Sequence, residues 1–229
     1  MPAGTVASLS GLGEKLTRRV VGDFEAGSIS ARARGRRWQV FLESFPDVAD
    51  LTVLDLGGDV RAWRLSEVRP KHLVLLNIFP QEVEEDWITP LVGDACEPPA
   101  DLPAADLVYS NSVIEHVGGH HRRAQFAEVV RRAPRYWVQT PARGFPVEPH
   151  FMFPGLQYLP RGAQATLVTK WPVGNYAKVT DRSEALSRLL DIELLSADEM
   201  RFYFPDAELH KERFAGLTKS FVAIKGLSQ

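Results

Sequence analysis

Short apolar runs alternate with amphipathic and polar stretches through the middle of the chain. They predict buried strands at residues 51–56, 72–78, 87–92, 105–109 and 135–139. Near-continuous apolar runs are typical of parallel strands that are covered on both faces. Because helix-like stretches separate several of these strands, we expect an α/β fold with a mostly parallel sheet and helices on both faces.

Apolar residues at helical spacing predict the helices. The clearest case is residues 31–45, where Trp38, Phe41, Leu42 and Phe45 share one face. Further helices are predicted at residues 60–68, 120–132, 182–190 and within 194–204, and a looser one at 9–21. Near the end, residues 207–214 and 218–225 flank a short turn, which predicts an antiparallel hairpin.

Composition narrows the class of protein. A chain of 229 residues with 45% hydrophobic content fits one sizeable domain. Its net charge of −2 gives no reason to expect a nucleic-acid partner. We expect a cytoplasmic monomer or homodimer without a membrane partner, because no signal-peptide core or membrane-spanning run is seen and the one cysteine, Cys96, excludes an internal disulfide.

Polar side chains collect where the predicted strands end. The first strand closes on Val-Leu-Asp-Leu-Gly-Gly at residues 53–58, and glycines allow a sharp turn and a close approach of a ligand. In open parallel sheets, ligands bind outside the carboxyl ends of the strands. The sequence therefore predicts a ligand site at that edge, near Asp55, Asn77, Asp94, Asn111 and Gln139.

These motifs together resemble the class I S-adenosylmethionine-dependent methyltransferases, of the seven-stranded Rossmann-like type, and most closely the "type 11" group. Residues 53–58 resemble the first motif of that family, and Gly93-Asp94-Ala95 resembles the third, whose acid contacts the adenine amino group. Residues 106–117 resemble the fourth-strand motif, which lines the methionine end. The resemblance covers residues 51–139 and implies methyl transfer from S-adenosylmethionine, with S-adenosylhomocysteine as the product.

The resemblance also implies a domain plan and a set of cofactor contacts. Residues 1–229 would form a single methyltransferase domain. In it, 1–48 would be a helical extension, 51–139 the cofactor-binding core, 140–180 a substrate-side loop or lid, and 181–229 the last helix and strands. The implied cofactor-binding residues are Asp55, Gly57, Gly58, Asp59, Asn77, Ile78, Asp94, Ala95, Ser110 and Asn111.

The chain departs from the family pattern at three positions. Asp59 and Arg61 stand where the usual loop has two further glycines, and Asn77 stands where an acid usually grips both ribose hydroxyls. An amide lacks the charge-assisted strength of a carboxylate. These changes keep open an alternative, in which the chain is a non-catalytic binding or assembly module. A nicotinamide dinucleotide is not expected, because residues 57–62 lack the G-x-G-x-x-G fingerprint.

Methyl transfer requires a positioned acceptor and a base for its proton. His116 is the first base candidate because it follows the fourth strand, with Glu115 beside it. A second set lies in the Pro-rich, apolar stretch 139–160, which we expect to form an irregular loop that continues through residue 176 and covers a small-molecule acceptor. Its catalytic candidates are Glu148 and His150, and the substrate-binding candidates are Arg143, Phe145, Trp171 and Tyr176. No metal is expected, because thiolate ligands are lacking.

Overall fold

A computed structural model describes residues 29–170 and 179–227. The described residues fall into two compact units, one formed by 29–39, 145–170 and 179–192 and the other by 40–144 and 193–227. The predicted helix at 9–21 lies outside the described residues, as do Trp171 and Tyr176. The single-domain plan for residues 1–229 stays a prediction.

The second unit is built on a seven-stranded sheet. Its strands are Thr52–Leu56 (β1), His72–Asn77 (β2), Ile88–Val92 (β3), Leu107–Asn111 (β4), Arg135–Pro141 (β5), Glu208–Phe214 (β8) and Leu217–Lys225 (β9). Their order in the sheet is β3-β2-β1-β4-β5-β9-β8. Strands β1 to β5 are parallel, whereas β9 runs antiparallel to both β5 and β8. The predicted fold class, including the C-terminal hairpin, is therefore confirmed.

Helices cover both faces of this sheet. On one face, Leu54 and Val108 belong to a buried cluster with Phe126 of α3, His120–Arg131, and Met200 of α6, Ala197–Tyr203. On the other face, Phe41, near the end of α1, Ile29–Ser44, packs its ring against the aromatic rings of three residues. Those rings belong to Trp63 of α2, Val60–Arg64, to Tyr109 of β4 and to Trp137 of β5.

Two crossover connections contain no helix in the part of the chain that the structure describes. Residues 78–87, between β2 and β3, and residues 93–106, between β3 and β4, run as turns and extended chain. The second of these holds Pro98, Pro99 and Pro103, which lack the backbone N–H that a helix interior needs. Among the four connections that join the parallel strands β1 to β5, helices therefore occur in the one from β1 to β2 and the one from β4 to β5.

The first unit contains less regular structure. Its strands β6, Val147–Glu148, and β7, Phe153–Pro154, form a two-stranded antiparallel pair, in keeping with the Pro-rich sequence. The irregular loop predicted to continue through residue 176 was wrong in part, because Arg161–Lys170 forms a helix, α4. This helix follows Pro160 and packs on α5, Arg182–Leu190, where Arg161 donates a 3.0 Å hydrogen bond to the carbonyl of Leu189.

The sequence pattern did not predict helix α4, because its apolar and polar residues are poorly segregated. Its second residue, Gly162, also lowers its helix propensity. Helices α6 and α5, by contrast, begin directly after a capping serine and a capping aspartate, Ser196 and Asp181, residue types that mark helix starts in a sequence. No helix in the described parts of the chain is long and apolar enough to cross a bilayer.

Candidate functional site at the carboxyl edge of the sheet

The turn after β1 is shaped by two glycines. Gly57 has a φ of +80°, which side chains rarely allow, and a Cβ there would lie 2.7 Å from a methyl carbon of Val113. Its amide donates a 2.8 Å hydrogen bond to the carbonyl of Leu76 at the end of β2. The turn is thereby fixed to the neighbouring strand as well as to its own.

Gly58 lies directly against the carboxyl group of Asp55. A Cβ at Gly58 would be 1.8 Å from Oδ2 of Asp55, far inside any contact distance. Asp55 is 1% exposed, and the same Oδ2 accepts a 2.7 Å hydrogen bond from the indole of Trp63. The glycine is required here by a side chain of the protein itself, so its presence does not by itself indicate a ligand.

Burial makes Asp55 an unusual acid. Desolvation raises the pKa of its carboxyl from 3.8 to about 7. The hydrogen bond from Trp63 acts in the opposite direction and lowers the pKa, whereas the charge of Asp59 makes a smaller contribution that raises it. Oδ1 of Asp55 is also buried and has no hydrogen-bond partner among the residues that the structure describes. The first strand therefore ends on a carboxyl group that changes its charge near neutral pH.

Asn77 occupies the end of β2, and its amide contacts the glycine turn. Nδ2 donates to the carbonyls of Gly57 at 3.2 Å and Gly58 at 2.8 Å, while Oδ1 accepts from the amide of Phe79 at 3.2 Å. Gln81 assists from the next connection, because its Nε2 donates to the carbonyl of Gly58 at 2.8 Å. Nothing in the sequence pattern around Gln81 indicated this contact.

Asp59, one of the departures from the family loop, serves the local backbone. Its side chain caps α2 by accepting a 2.8 Å hydrogen bond from the amide of Arg61, and it forms an ion pair with the guanidinium of the same residue. Hydrogen bonding to Arg61 holds the pKa of Asp59 below its ordinary value. Asp59 and Arg61, the two unusual residues of the loop, thus compensate each other's charge.

Asp94 follows β3 and is held by two donors. Oδ1 accepts a 2.8 Å hydrogen bond from the amide of Cys96, and Oδ2 forms an ion pair with Arg122 of α3, which also lies 3.4 Å from Glu97. Burial opposes ionisation of Asp94, but these hydrogen bonds outweigh it and lower its pKa. Its side chain remains 42% exposed, so a ligand can still reach it. Arg122 was not among the predicted site residues.

The other cofactor candidates differ in accessibility. Ile78 is 62% exposed at the end of β2, an apolar side chain open to solvent, whereas Ala95 is nearly covered. Asn111 is half-buried at the end of β4. Ser110 is fully buried and its hydroxyl donates a 3.0 Å hydrogen bond to the carbonyl of Leu56, so its side chain links two strands and cannot contact a ligand.

The turn after β4 carries the first base candidate. His116 is exposed, and its amide donates a 2.8 Å hydrogen bond to the carbonyl of Val113, which closes the turn. Its neighbour Glu115 is 1% exposed and accepts a 2.9 Å hydrogen bond from the hydroxyl of Thr140 on β5. The turn therefore holds a buried acid and directs a histidine to the surface.

In the first unit, Glu148 and His150 form a carboxylate–imidazole pair. Oε1 of Glu148 lies 2.7 Å from Nδ1 of His150, and Oε2 accepts a 2.6 Å hydrogen bond from the amide of Phe151. Glu148 is 4% exposed. A carboxylate on Nδ1 favours the tautomer that carries the proton there, which leaves Nε2 as the basic nitrogen. The pair has the chemistry of an oriented general base.

Two of the four substrate-binding candidates, Arg143 and Phe145, lie within the described residues. Arg143 belongs to the second unit, where it donates to the carbonyl of Leu194 at 2.9 Å and to Glu199 at 2.9 Å, so it joins β5 to the start of α6. Phe145 is half-buried in the first unit, and its carbonyl accepts a hydrogen bond from the Gln157 amide at 2.5 Å. Arg143 is thus engaged in structural contacts that the sequence did not predict.

Comparisons with known proteins give one consistent result. No family model matches the chain, and neither does any curated protein. Solved structures do match it. Magnesium protoporphyrin IX methyltransferase from Synechocystis PCC 6803 is 13% identical with a TM-score of 0.51, over 96% of this chain and 97% of that one.

Two further structures agree. The N-methyltransferase NodS from Bradyrhizobium japonicum is 11% identical with a TM-score of 0.51, over 95% of this chain and 98% of that one. The small RNA methyltransferase HEN1 is 13% identical with a TM-score of 0.55, over 90% of this chain and 26% of that one. The chain has the class I methyltransferase fold. In this methyltransferase fold, the glycine turn, Asn77 and Asp94 stand at the edge where three neighbouring strands end.

We predict that Gly58→Ala destabilises the protein. The new Cβ would overlap the Asp55 carboxyl, and overpacking of this kind costs about 1–3 kcal/mol or more. Gly144→Ala is the matched control, since nothing lies within 4 Å of a Cβ at that position. The measurement is urea unfolding of both variants. Adding Asp55→Ala to Gly58→Ala should recover part of the loss, and strict additivity of the two changes would contradict the contact.

We also predict a pH dependence of stability that originates at Asp55. Its folded pKa of about 7 lies above the 3.8 of an exposed acid, so the folded protein keeps a proton that the unfolded chain releases. Stability from this group is therefore full below pH 4 and is lost as the pH rises to about 7. Asp55→Asn should abolish this pH-dependent loss of folding free energy, which is on the order of 4 kcal/mol at most.

The measurement is the free energy of unfolding of wild type and Asp55→Asn in urea at several values between pH 4 and pH 8. The difference between the two proteins should grow with pH, and it should level off above neutrality. Asp101→Asn, at an exposed position, supplies the control for the loss of one carboxyl group. Parallel curves for wild type and Asp55→Asn would mean that Asp55 ionises as an ordinary acid.

Proposed function

We propose that this chain is an S-adenosylmethionine-dependent methyltransferase. One observation carries the proposal. At the carboxyl edge of a sheet with this strand order, the chain combines a tight glycine turn, an exposed apolar residue and an accessible acid. These are residues 57–58, Ile78 and Asp94. Ligands in open parallel sheets bind at this edge. The fold alone would not support a methyltransferase function, because one fold can host many functions.

The chemistry of these residues fits a nucleoside cofactor. Asp94 is an ionised acceptor for an amino group. Ile78 follows the last residue of β2, which pairs with the last residue of β3, and its exposed side chain offers an apolar surface to a base. Ala95 and Asn111 complete the candidate contacts, with the glycine turn against the methionine part. When bound, the cofactor supplies an electrophilic methyl group. The solved methyltransferases from Synechocystis and Bradyrhizobium contain S-adenosylhomocysteine, the product expected here.

The residues of the chain must hold the acceptor and remove its proton. Positioning of reactants can lower a barrier by roughly 7–11 kcal/mol. For the proton we propose a histidine, and two remain candidates. His116 is exposed after β4, while His150 is oriented by the buried Glu148. The carboxylate on Nδ1 favours His150 on chemical grounds, since it fixes the tautomer and stabilises the imidazolium that forms.

We further propose a small molecule as the methyl acceptor. The net charge of −2 provides no general attraction to a polyanion. The structural relatives act on different substrates, since one is a magnesium protoporphyrin IX methyltransferase and another a small RNA methyltransferase. Acceptor choice belongs to the loops and varies within one fold. Phe145 remains a proposed acceptor contact, as do Trp171 and Tyr176.

A second candidate function is a non-catalytic binding or assembly module with the same fold. The observation that favours it is that the polar side chains at the strand ends contact the protein itself. Asp59 pairs with Arg61, Asn77 contacts the glycine turn, and Asp94 pairs with Arg122. A cofactor would have to share or displace these partners. Such a module could keep the fold with or without cofactor, so failure to bind the cofactor would favour it, whereas methylation of an acceptor would exclude it.

We expect S-adenosylhomocysteine to raise the melting temperature of the protein. A ligand at about 100 times its dissociation constant adds about 2.7 kcal/mol to stability. Asp94→Ala should weaken this binding by about 1–3 kcal/mol, the cost of a lost hydrogen-bond acceptor, and remain folded. NADH and ATP serve as control ligands, and Asp101→Asn as the control variant. Absence of a shift at millimolar S-adenosylhomocysteine would favour the non-catalytic module.

We expect the base to be identified by its rate effect. Candidate acceptors are a panel of phenols, amines and carboxylic acids, with release of S-adenosylhomocysteine as the measurement. With the first acceptor that is methylated, His150→Ala should lower turnover about 10²–10⁴-fold and leave cofactor binding intact.

His121→Ala, at an exposed position on α3, is the matched control. A loss of that size in His116→Ala, with little change in His150→Ala, would transfer the role to the turn after β4. A change in KM alone would make the affected histidine a positioning group.

A further inference from the structure

Two amide side chains hold the glycine turn from the side of β2. Asn77 donates to the carbonyls of Gly57 and Gly58, and Gln81 donates to the carbonyl of Gly58 at 2.8 Å. Oε1 of Gln81 also accepts a 2.8 Å hydrogen bond from the amide of Val60, the first residue of α2. We call Asn77 and Gln81 the amide clasp.

The chemistry of these contacts requires amides. A side-chain amide donates through nitrogen and accepts through oxygen, whereas an ionised carboxylate only accepts. The Gly57 and Gly58 carbonyls are themselves acceptors, so a carboxylate at residue 77 would face two oxygen atoms without a donor between them. Asn77 therefore suits the present orientation of the turn, and an acid at that position would not.

Gly58 is constrained on two sides. Its carbonyl is bound by the amide clasp, and its Cα rests on the Asp55 carboxyl, where a Cβ would lie 1.8 Å from Oδ2. The bond from Val60 to Gln81 ties the start of α2 to the same point. Helix α2 in turn supplies Trp63, the donor to Asp55. A change in the amide clasp must therefore shift the turn relative to the strand ends.

We propose that Asn77 and Gln81 are positioning residues, which hold the glycine turn in the conformation that receives the cofactor and take the place of an acid at the end of β2. The inference deepens the proposed function and rests on it for the ligand. It explains why the chain has an amide at residue 77. Both ends of the Asn77 side chain bind backbone, since Oδ1 accepts from Phe79. The amide therefore serves the turn through both of its ends.

The test is a substitution that keeps shape and removes the donor. Asn77→Asp should weaken binding of S-adenosylhomocysteine by about tenfold to a hundredfold at pH 8, measured by calorimetry, because two donated hydrogen bonds become repulsive contacts. The ratio of variant to wild-type dissociation constants should shrink towards pH 5.5. Two facing carbonyl oxygens disfavour the ionised form of a carboxyl at this position, so it takes up a proton at a higher pH than an exposed aspartate does. The protonated carboxyl can again donate to a carbonyl, whereas Asn77 does not titrate. A purely structural defect would not recover with acid.

Using the ratio at each pH cancels the titration of other groups, including Asp55, that both proteins share. Gln81→Glu should change binding in the same direction and provides a second variant, in case Asn77→Asp does not fold. Glu84→Gln is the control, because it exchanges an acid and an amide on the same exposed connection without contacting the turn. That control should leave binding unchanged.

A measurement without ligand tests the amide clasp independently. Gln81→Met should speed hydrogen exchange of the Val60 amide at least tenfold, whereas Gln81→Glu keeps the acceptor and should preserve protection. An unchanged exchange rate of the Val60 amide in Gln81→Met would overturn the proposal. Tighter binding of S-adenosylhomocysteine by Asn77→Asp would also overturn it, because residue 77 would then face the ligand. If wild type binds no S-adenosylhomocysteine, the proposed function fails, and Val60 exchange alone then decides on the clasp.

Discussion

The contact between Gly58 and the Asp55 carboxyl is the constraint on which the candidate site depends. It places a buried acid under the backbone turn, and the acid is held there by the indole of Trp63. Trp63 packs edge-to-face on Tyr109, and Phe41 packs on both. The position of the glycine turn is therefore set by the aromatic core on one face of the sheet, so the site and the core cannot vary independently.

This arrangement makes ionisation of Asp55 unfavourable. The same aromatic packing that fixes the turn removes Asp55 from water and raises its pKa to about 7. Around it, the other polar groups also have partners within the protein: Asn77 and Gln81 for the turn carbonyls, Arg61 for Asp59, and Arg122 for Asp94. Polar groups that are fully paired in this way hold one conformation.

Much of the fold followed from local pattern. The apolar runs located all five parallel strands within two residues of their observed bounds, and the turn at residues 215–216 located the hairpin. The approximate position of the site followed as well, because carboxyl ends of parallel strands meet at one edge. Helix α4 was missed because its apolar and polar residues are poorly segregated and Gly162 lowers its helix propensity.

By itself the sequence determined the class of the sheet, the glycine turn and which polar residues end the strands, since these depend on periodicity and on neighbours in the chain. Only the tertiary structure decided what those polar residues contact. The hydroxyl of Ser110 donates to the carbonyl of Leu56, and Arg143, after β5, donates to the carbonyl of Leu194. Gln81 donates to the carbonyl of Gly58, more than twenty residues earlier in the chain. A hydrogen-bonding side chain takes whichever partner the packing brings within about 3 Å, and separation along the chain does not predict that partner.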